Sequence, residues 1–268
     1  CGDPSKHLHE GETVLDLGSG TGKICFIAAQ VVGPTGRVIG VDMTDEMLEC
    51  ARRNAPLVAK NIGFSNVEFR KGRIQDLALD FDALAERLND LPLNGLEGYL
   101  QAESEAENLR QSNPMIADDS VDVVVSNCVL NLVGSAEKPQ LFHELHRVLR
   151  PGGRAVISDI VAGDDVPKAL QDDPELWSGC ISGALREDRF LRAFGDAGFD
   201  PVRILKREEQ VWQEVGGIEF RSMTVEAVKP VTSPALSGVS DFFMPNKKAA
   251  RPVSQASGDC CSPDSGCC

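Results

Sequence analysis

The strongest constraint on this chain lies near its start. The apolar run Thr13-Val14-Leu15-Asp16-Leu17 leads directly into Gly18-Ser19-Gly20-Thr21-Gly22. A helical pattern follows, with Ile24, Ile27, Ala28 and Val31 on one face and Gly33-Pro34 as its stop. A short buried strand, a glycine turn and an amphipathic helix form a unit that belongs in a parallel sheet. The glycines let the backbone approach a ligand closely, and the helix start offers free N–H groups.

The same rhythm continues downstream. Residues 37–42 read as a second strand, and Thr44 is placed to cap the next helix, with Asp45 and Glu46 at its positive end. Further strands are expected at 66–70, 121–126 and 154–158. A helix at 139–149 directs Leu141, Phe142, Leu145, Val148 and Leu149 inward and stops at Pro151-Gly152-Gly153. Residues 203–206 and the alternating run 220–228 close the series. Alternating strands and helices specify an α/β fold, a mainly parallel sheet with helices on both faces.

Three segments interrupt it. Residues 77–115, rich in Glu and Leu, are too long for a loop and are expected to form one or two surface helices. Residues 164–183 read as a connection containing Pro167, Pro174, Trp177 and Cys180. From 230 onward Pro, Ser, Ala, Gly and Asp dominate, the composition of a mostly unfolded tail.

Composition removes several classes of function. With 27 Lys+Arg against 41 Asp+Glu, the net charge of −14 gives no electrostatic reason to bind nucleic acid or anionic lipid. No apolar run reaches the ~18 residues of a membrane helix; the stretch 121–133 is broken by Asp122, Ser126, Asn127 and Asn131. No basic-then-apolar leader is visible, so a cytoplasmic location is expected. The first residue is Cys1 rather than Met, which marks a processed chain or a fragment. Nine cysteines in such a chain do not read as a disulfide framework. Cys260, Cys261, Cys267 and Cys268 crowd the end, and adjacent cysteines do not match zinc spacing. They read either as a capture site for a soft metal or as a redox-labile tail.

The residues around the glycines choose among ligands. Asp42, closing the second strand, can accept hydrogen bonds from two ribose hydroxyls. The dinucleotide pattern wants a third glycine where Lys23 stands. Asp16, two residues before the first glycine, would repel a pyrophosphate but suits a ligand bearing an ammonium group. The combination favours S-adenosylmethionine over a nicotinamide dinucleotide.

Val14-Leu15-Asp16-Leu17-Gly18-Ser19-Gly20-Thr21-Gly22 resembles the first motif of class I S-adenosylmethionine methyltransferases, a Rossmann-like fold. Three further segments narrow the resemblance to arsenite methyltransferases. They are Gly40-Val41-Asp42-Met43-Thr44, the run 124–133 containing Ser126-Asn127-Cys128, and Leu176-Trp177-Ser178-Gly179-Cys180-Ile181-Ser182-Gly183-Ala184. Cys1-Gly2 resembles that family's cysteine–glycine step before the first strand.

The resemblance implies a cofactor-binding core over 1–160 carrying the insertion 77–115, a substrate-binding extension with closing strands over 161–229, and a Cys-rich tail over 230–268. It implies that Asp16, Gly18 and Gly20 line the methionine end of the cofactor, that Ser19 and Gly22 belong to the same cofactor-binding loop, that Asp42 holds the ribose and that Met43 packs on the adenine. Gly72, Arg73 and Ile74 would follow the adenine edge, Asn127 would lie near the transferred methyl, and Cys1 and Cys180 would bind trivalent arsenic. Glutathione or thioredoxin would supply the reductant.

The chemistry suits those residues. Trivalent arsenic is thiophilic, and its lone pair can attack a sulfonium methyl in line without losing a proton. No general base is needed, and none of the four histidines is placed as one. One departure stands out: where the family carries a third arsenic-binding cysteine, this chain has Ile218. Relatives also carry a further C-terminal domain. Cys25, Cys50 and Cys128 read as packing residues, Cys128 with a contact to arsenic as its second reading. The rival readings are a methyltransferase for another small molecule, such as a quinone or sterol, and a metalloid-binding protein that does not turn over.

Overall fold

The apolar run ahead of the glycines forms β1 (Thr13–Leu17), and its alternation defines the two faces of the sheet. Val14 enters one buried cluster with Val38, Val123, Val125 and Val156; Leu15 and Leu17 enter another with Ile39, Val41 and Val124. Successive strand side chains point to opposite faces, so a run that is apolar on both faces is covered on both. The computed structural model describes residues 2–89, 91 and 94–231.

The other strands are β2 (Arg37–Asp42), β3 (Val67–Lys71), β4 (Val121–Asn127), β5 (Leu149–Ala162), β6 (Val202–Arg207), β7 (Gln213–Val215) and β8 (Ile218–Val228). They form one sheet in the order β3-β2-β1-β4-β5-β8-β6, with β7 paired to β8. The first five in that order run parallel, and β8 is antiparallel to both β5 and β6. The chain leaves β1 for β2 on one side and later returns to β4 on the other. The carboxyl ends of β1 and β4 therefore flank the crevice where open α/β sheets take their ligands.

Two helices cover the first cluster, α1 (Lys23–Val32) through Cys25, Ala28, Ala29 and Val32, and α2 (Asp45–Ile62) through Leu48 and Ala51. On the opposite face lie α5 (Lys138–Val148) and α8 (Glu187–Asp196). Their Phe142 and Phe194 meet edge to face at 4.8 Å, and Phe194 meets Phe199 at 5.8 Å. Such pairs add to the stabilisation from burial alone.

The expected strands and helices are present, with differences that have physical reasons. The fifth strand runs well past 154–158 because β8 pairs with it continuously from Arg154 to Ala162. Within 164–183 the chain makes two short helices, α6 (Lys168–Gln171) and α7 (Pro174–Ser178), the second capped by Asp173. Neither α8 nor β7 was anticipated, although Phe190 and Phe194 stand one turn apart on the buried face of α8. The insertion forms α3 (Phe81–Leu88) and α4 (Gly95–Ser112), as expected. Arg110 pairs with Asp76 at 2.9 Å, and Ala106 and Leu109 pack on Leu79. The tail beyond 231, with its four cysteines, lies outside the described residues. Among the described residues no helix is long and apolar enough to cross a membrane.

Candidate cofactor and substrate site

The glycine turn is tied to the end of β2. The N–H groups of Gly18 and Ser19 donate to the Val41 carbonyl at 2.8 and 3.0 Å. Asp42 then spans the cleft, accepting from Gly20 N at Oδ2 and from Thr44 N at Oδ1, both at 2.9 Å. Thr44 occupies the predicted cap position of α2, with this backbone bond in place of a side-chain one. Gly18 and Gly20 have φ of 64° and 53°, a left-handed backbone that L side chains rarely adopt. A Cβ on Gly18 would fall 2.4 Å from Val129, whereas one on Gly20 would enter open space.

Beside this turn lies a cavity of about 260 Å³, lined by Gly18, Asp42, Met43, Gly72, Ile74, Val129, Leu132, Val133 and Glu137 among others. Met43 is 58% exposed, its side chain available to cover a planar ring. Gly72 and Ile74 follow β3 and line this cavity. Arg73 is not part of the lining; its guanidinium sits 5.8 Å over the Phe81 ring.

Asp16 is only 2% exposed, and its Oδ2 accepts from the Cys25 thiol at 3.2 Å. Burial raises its carboxyl to about 7, with the charge of Asp42 acting in the same direction. Asp16 also raises the Cys25 thiol, itself lifted first by burial. Among the described residues three buried oxygens lack a hydrogen-bond partner: Asn66 Oδ1 ahead of β3, and the pair Ser19 Oγ and Asn127 Oδ1. Buried polar atoms are rarely left so, and this pair sits at the ends of β1 and β4. Of the residues the sequence singled out, Gly18, Asp42, Met43, Gly72 and Ile74 line the cavity, whereas Asp16, Ser19 and Asn127 bring buried polar groups to the carboxyl ends of β1 and β4 outside its lining.

The second half of the site is built on the turn after β4. Cys180 follows α7 with a left-handed φ of 61°, and its Sγ donates to the Cys128 carbonyl at 3.3 Å. Burial raises its thiol to about 11, Asp159 raising it further and Lys138 opposing. Cys128 is disulfide-bonded, whereas Cys25, Cys50 and Cys180 are free thiols. Cys1 lies outside the described residues. Its neighbour Gly2 is held firmly: Gly2 N donates to Ser158 Oγ at 2.6 Å, and Asn127 Nδ2 donates to Gly2 O at 3.0 Å. Asn127 thus faces the cysteine-bearing N-terminal segment with one end while its oxygen remains unpaired. Ile218 is buried in an apolar cluster with Ile181, the neighbour of Cys180.

Sequence reasoning assigned no role to Val129, Leu132, Val133 or Glu137, which wall the cavity, nor to Asn131, Lys138 and Asp159 behind Cys180. Asp16 was marked by its place two residues before the first glycine; Asp159 is an acid inside the apolar run of β5, a signal that could have found it. Cys25, read as packing, is packed and also serves as the hydrogen-bond donor to Asp16.

This geometry can be set beside known proteins. A family model described as a methyltransferase domain matches residues 8–94 and 94–198. An arsenite methyltransferase of Halobacterium salinarum is 41% identical over 86% of this chain and 50% of its own length. The human arsenite methyltransferase is 30% identical over 84% of this chain and 52% of its own. The chain therefore spans about half the length of these curated relatives. A crystal structure of an arsenic(III) S-adenosylmethionine methyltransferase from Chlamydomonas reinhardtii superposes with a TM-score of 0.65 at 31% identity. That match covers 86% of this chain and 67% of the other. The crevice at the β1–β4 switch, the buried Asp16 and the family match agree: the chain belongs to the methyltransferase-domain family, with a class I fold whose cofactor is S-adenosylmethionine.

Proposed function

We propose that this protein methylates trivalent arsenic held by the thiolates of Cys180 and Cys1. One observation carries the reading: the Cys180 thiol donates to the carbonyl of Cys128, and the next residue, Val129, walls the cofactor cavity. A soft-metal ligand and a methyl-donor pocket therefore share one short segment of chain. When bound, S-adenosylmethionine would supply an electrophilic sulfonium methyl: the arsenic lone pair would form the new As–C bond as the S–CH3 bond breaks, leaving S-adenosylhomocysteine and formally pentavalent arsenic, with no proton to remove.

The task of the protein's own residues is to bind, orient and exclude water. Asp42 holds the ribose, Met43 and Ile74 cover the ring, and Asp16 with Asn127 Oδ1 faces the methionine end. Ser158 and Asn127 fix Gly2 and with it the entry of the N-terminal segment. Cys180 is a protonated thiol at neutral pH, so arsenic capture releases its proton. A thiol reductant such as glutathione or thioredoxin returns the oxidised arsenic to the trivalent state, in a reducing compartment such as the cytoplasm.

Ile218 bears on the substrate. With Ile218 packed against Ile181, the site as proposed offers the two thiols of Cys1 and Cys180, and methylarsenite has two exchangeable positions to match them. Methylarsenite is therefore the favoured substrate over arsenite. The test is to incubate the full chain with S-adenosylmethionine, glutathione or thioredoxin, and either arsenical, then speciate arsenic by chromatography with mass detection. Methylated products that disappear in Cys180→Ser, with cofactor binding retained, are expected. A wild-type protein that binds the cofactor and yields no methylated arsenic would sink the proposal and leave a methyltransferase for another small molecule.

A further inference from the structure

Behind Cys180 lies a polar cluster that the methyl transfer does not use. Asp159 is fully buried, Asn131 is 2% exposed and Lys138 is 5% exposed. Asn131 Nδ2 donates to Asp159 Oδ1 at 3.0 Å, to Ile160 O at 2.7 Å and to Cys180 O at 3.2 Å. Asp159 Oδ2 accepts from Leu130 N at 2.9 Å, and its Oδ1 also accepts from Ile160 N at 2.8 Å. Lys138 Nζ donates to Leu130 O at 2.6 Å.

These bonds join three segments: the 128–133 turn that walls the cofactor cavity, the 176–184 loop that carries Cys180, and β5. The contact between the first two is close, since a Cβ on Gly183 would fall 1.9 Å from Asn131 O. Cys180 is thereby held from both sides, its thiol on Cys128 O and its carbonyl on Asn131 Nδ2. A cluster retained only for stability would have apolar alternatives, because well-packed hydrophobic residues commonly match or exceed a buried polar set. Here the polar groups fix relative position, a task apolar packing performs less specifically.

We infer that Asn131, supported by Asp159 and Lys138, is a positioning residue that sets the place of the Cys180 thiol relative to the cofactor cavity. The inference rests on the reading of Cys180 as the arsenic-bearing thiol. Loss of the Asn131 amide frees the Cys180 carbonyl, and a loop held in a left-handed conformation relaxes away from the wall. Misplacement of reacting groups by about 1 Å costs roughly 100-fold in rate.

The test uses the full chain carrying Asn131→Ala, with Lys138→Met as a milder variant should the first not fold. The first readout is alkylation of free thiols by iodoacetamide, followed by peptide mass spectrometry, with Cys50 as internal reference. Cys180 is expected to react about tenfold faster in Asn131→Ala and about threefold faster in Lys138→Met, with Cys50 unchanged, because thiol reactivity follows access. The second readout is kinetic: kcat for methylarsenite falls about 30-fold, while KM and the S-adenosylmethionine Kd stay within about threefold. Labelling of Cys180 that stays within about twofold of wild type in a folded variant overturns the inference. So does equal acceleration at Cys50, or a Kd that rises as far as kcat falls. Absence of methylated arsenic from the wild type would instead remove the substrate reading, and the labelling result would still decide the positioning role.

Discussion

The two halves of the site are built in opposite ways. The cofactor half takes its framework from consecutive residues, β1, the glycine turn and the start of α1, completed by Asp42 one strand away. Its bonds are largely backbone N–H groups meeting backbone carbonyls or one carboxylate. The thiol half gathers residues 2, 127, 131, 138, 158, 159 and 180 from across the chain, and side chains make most of its bonds. A local unit tolerates change elsewhere in the molecule. A long-range one depends on every element that supplies it.

Substitutions can sharpen or break that contrast. The largest effect is expected at the contact between the halves. In Gly18→Ala the new methyl meets Val129 on a strained backbone, and cofactor affinity should fall about 100-fold by calorimetry. Retained affinity would mean that Val129 yields and that the turn is softer than its geometry implies.

Asp16→Asn comes next, with an expected loss of about 30-fold in cofactor affinity at pH 8, as a charge-assisted bond is replaced by a neutral one. Its stability should move the other way. Burial raises the folded-state pKa from 3.8 to about 7, so across that window the native state keeps a proton that the unfolded chain has lost. Stability therefore falls as pH rises through the window, and the loss is complete above it. Asp159, lifted to about 6 by burial, adds to the lower part of the same slope. Asp16→Asn should flatten the pH dependence of thermal unfolding and exceed the parent at pH 8. It should also abolish the weakening of cofactor binding expected as pH drops below about 7.

In the thiol half, Gly2→Ala places a Cβ 2.6 Å from both Ser158 Oγ and Thr224 Oγ1. Methyl transfer should slow about tenfold with unchanged cofactor Kd, the inverse of the Gly18 result. Last, Arg110→Ala removes the tie between the insertion and Asp76. That pair is partly exposed, so the expected cost is about 1 kcal/mol or less in thermal unfolding, with the transfer rate unaffected. A rate change would bring the insertion into the site.

The contrast also explains what could be read before the structure. β1, β2 and the glycine turn were legible because strand alternation and glycine placement are local signals; Asp16 stood out by its place two residues before the first glycine and Asp42 by closing the second strand. Cys180 could be named from its motif, but nothing in the chain's spacing shows that its thiol meets Cys128 O. Asn131 and Lys138 were invisible as a pair, seven residues apart and bound to different partners. The long β5 was underestimated because its length is set by β8, about sixty residues later in the chain.

The bond from the Cys25 thiol to Asp16 gives this protein a label of its own. S–H stretching vibrations absorb in a spectral window almost free of other protein bands, and their frequency follows the strength of the acceptor. Cys25 reports on one oxygen of one buried carboxylate on β1, two residues before the glycine turn. An ammonium group arriving opposite Asp16 would draw charge from that oxygen and move the band, so cofactor occupancy could be followed by infrared difference spectroscopy on the unmodified protein.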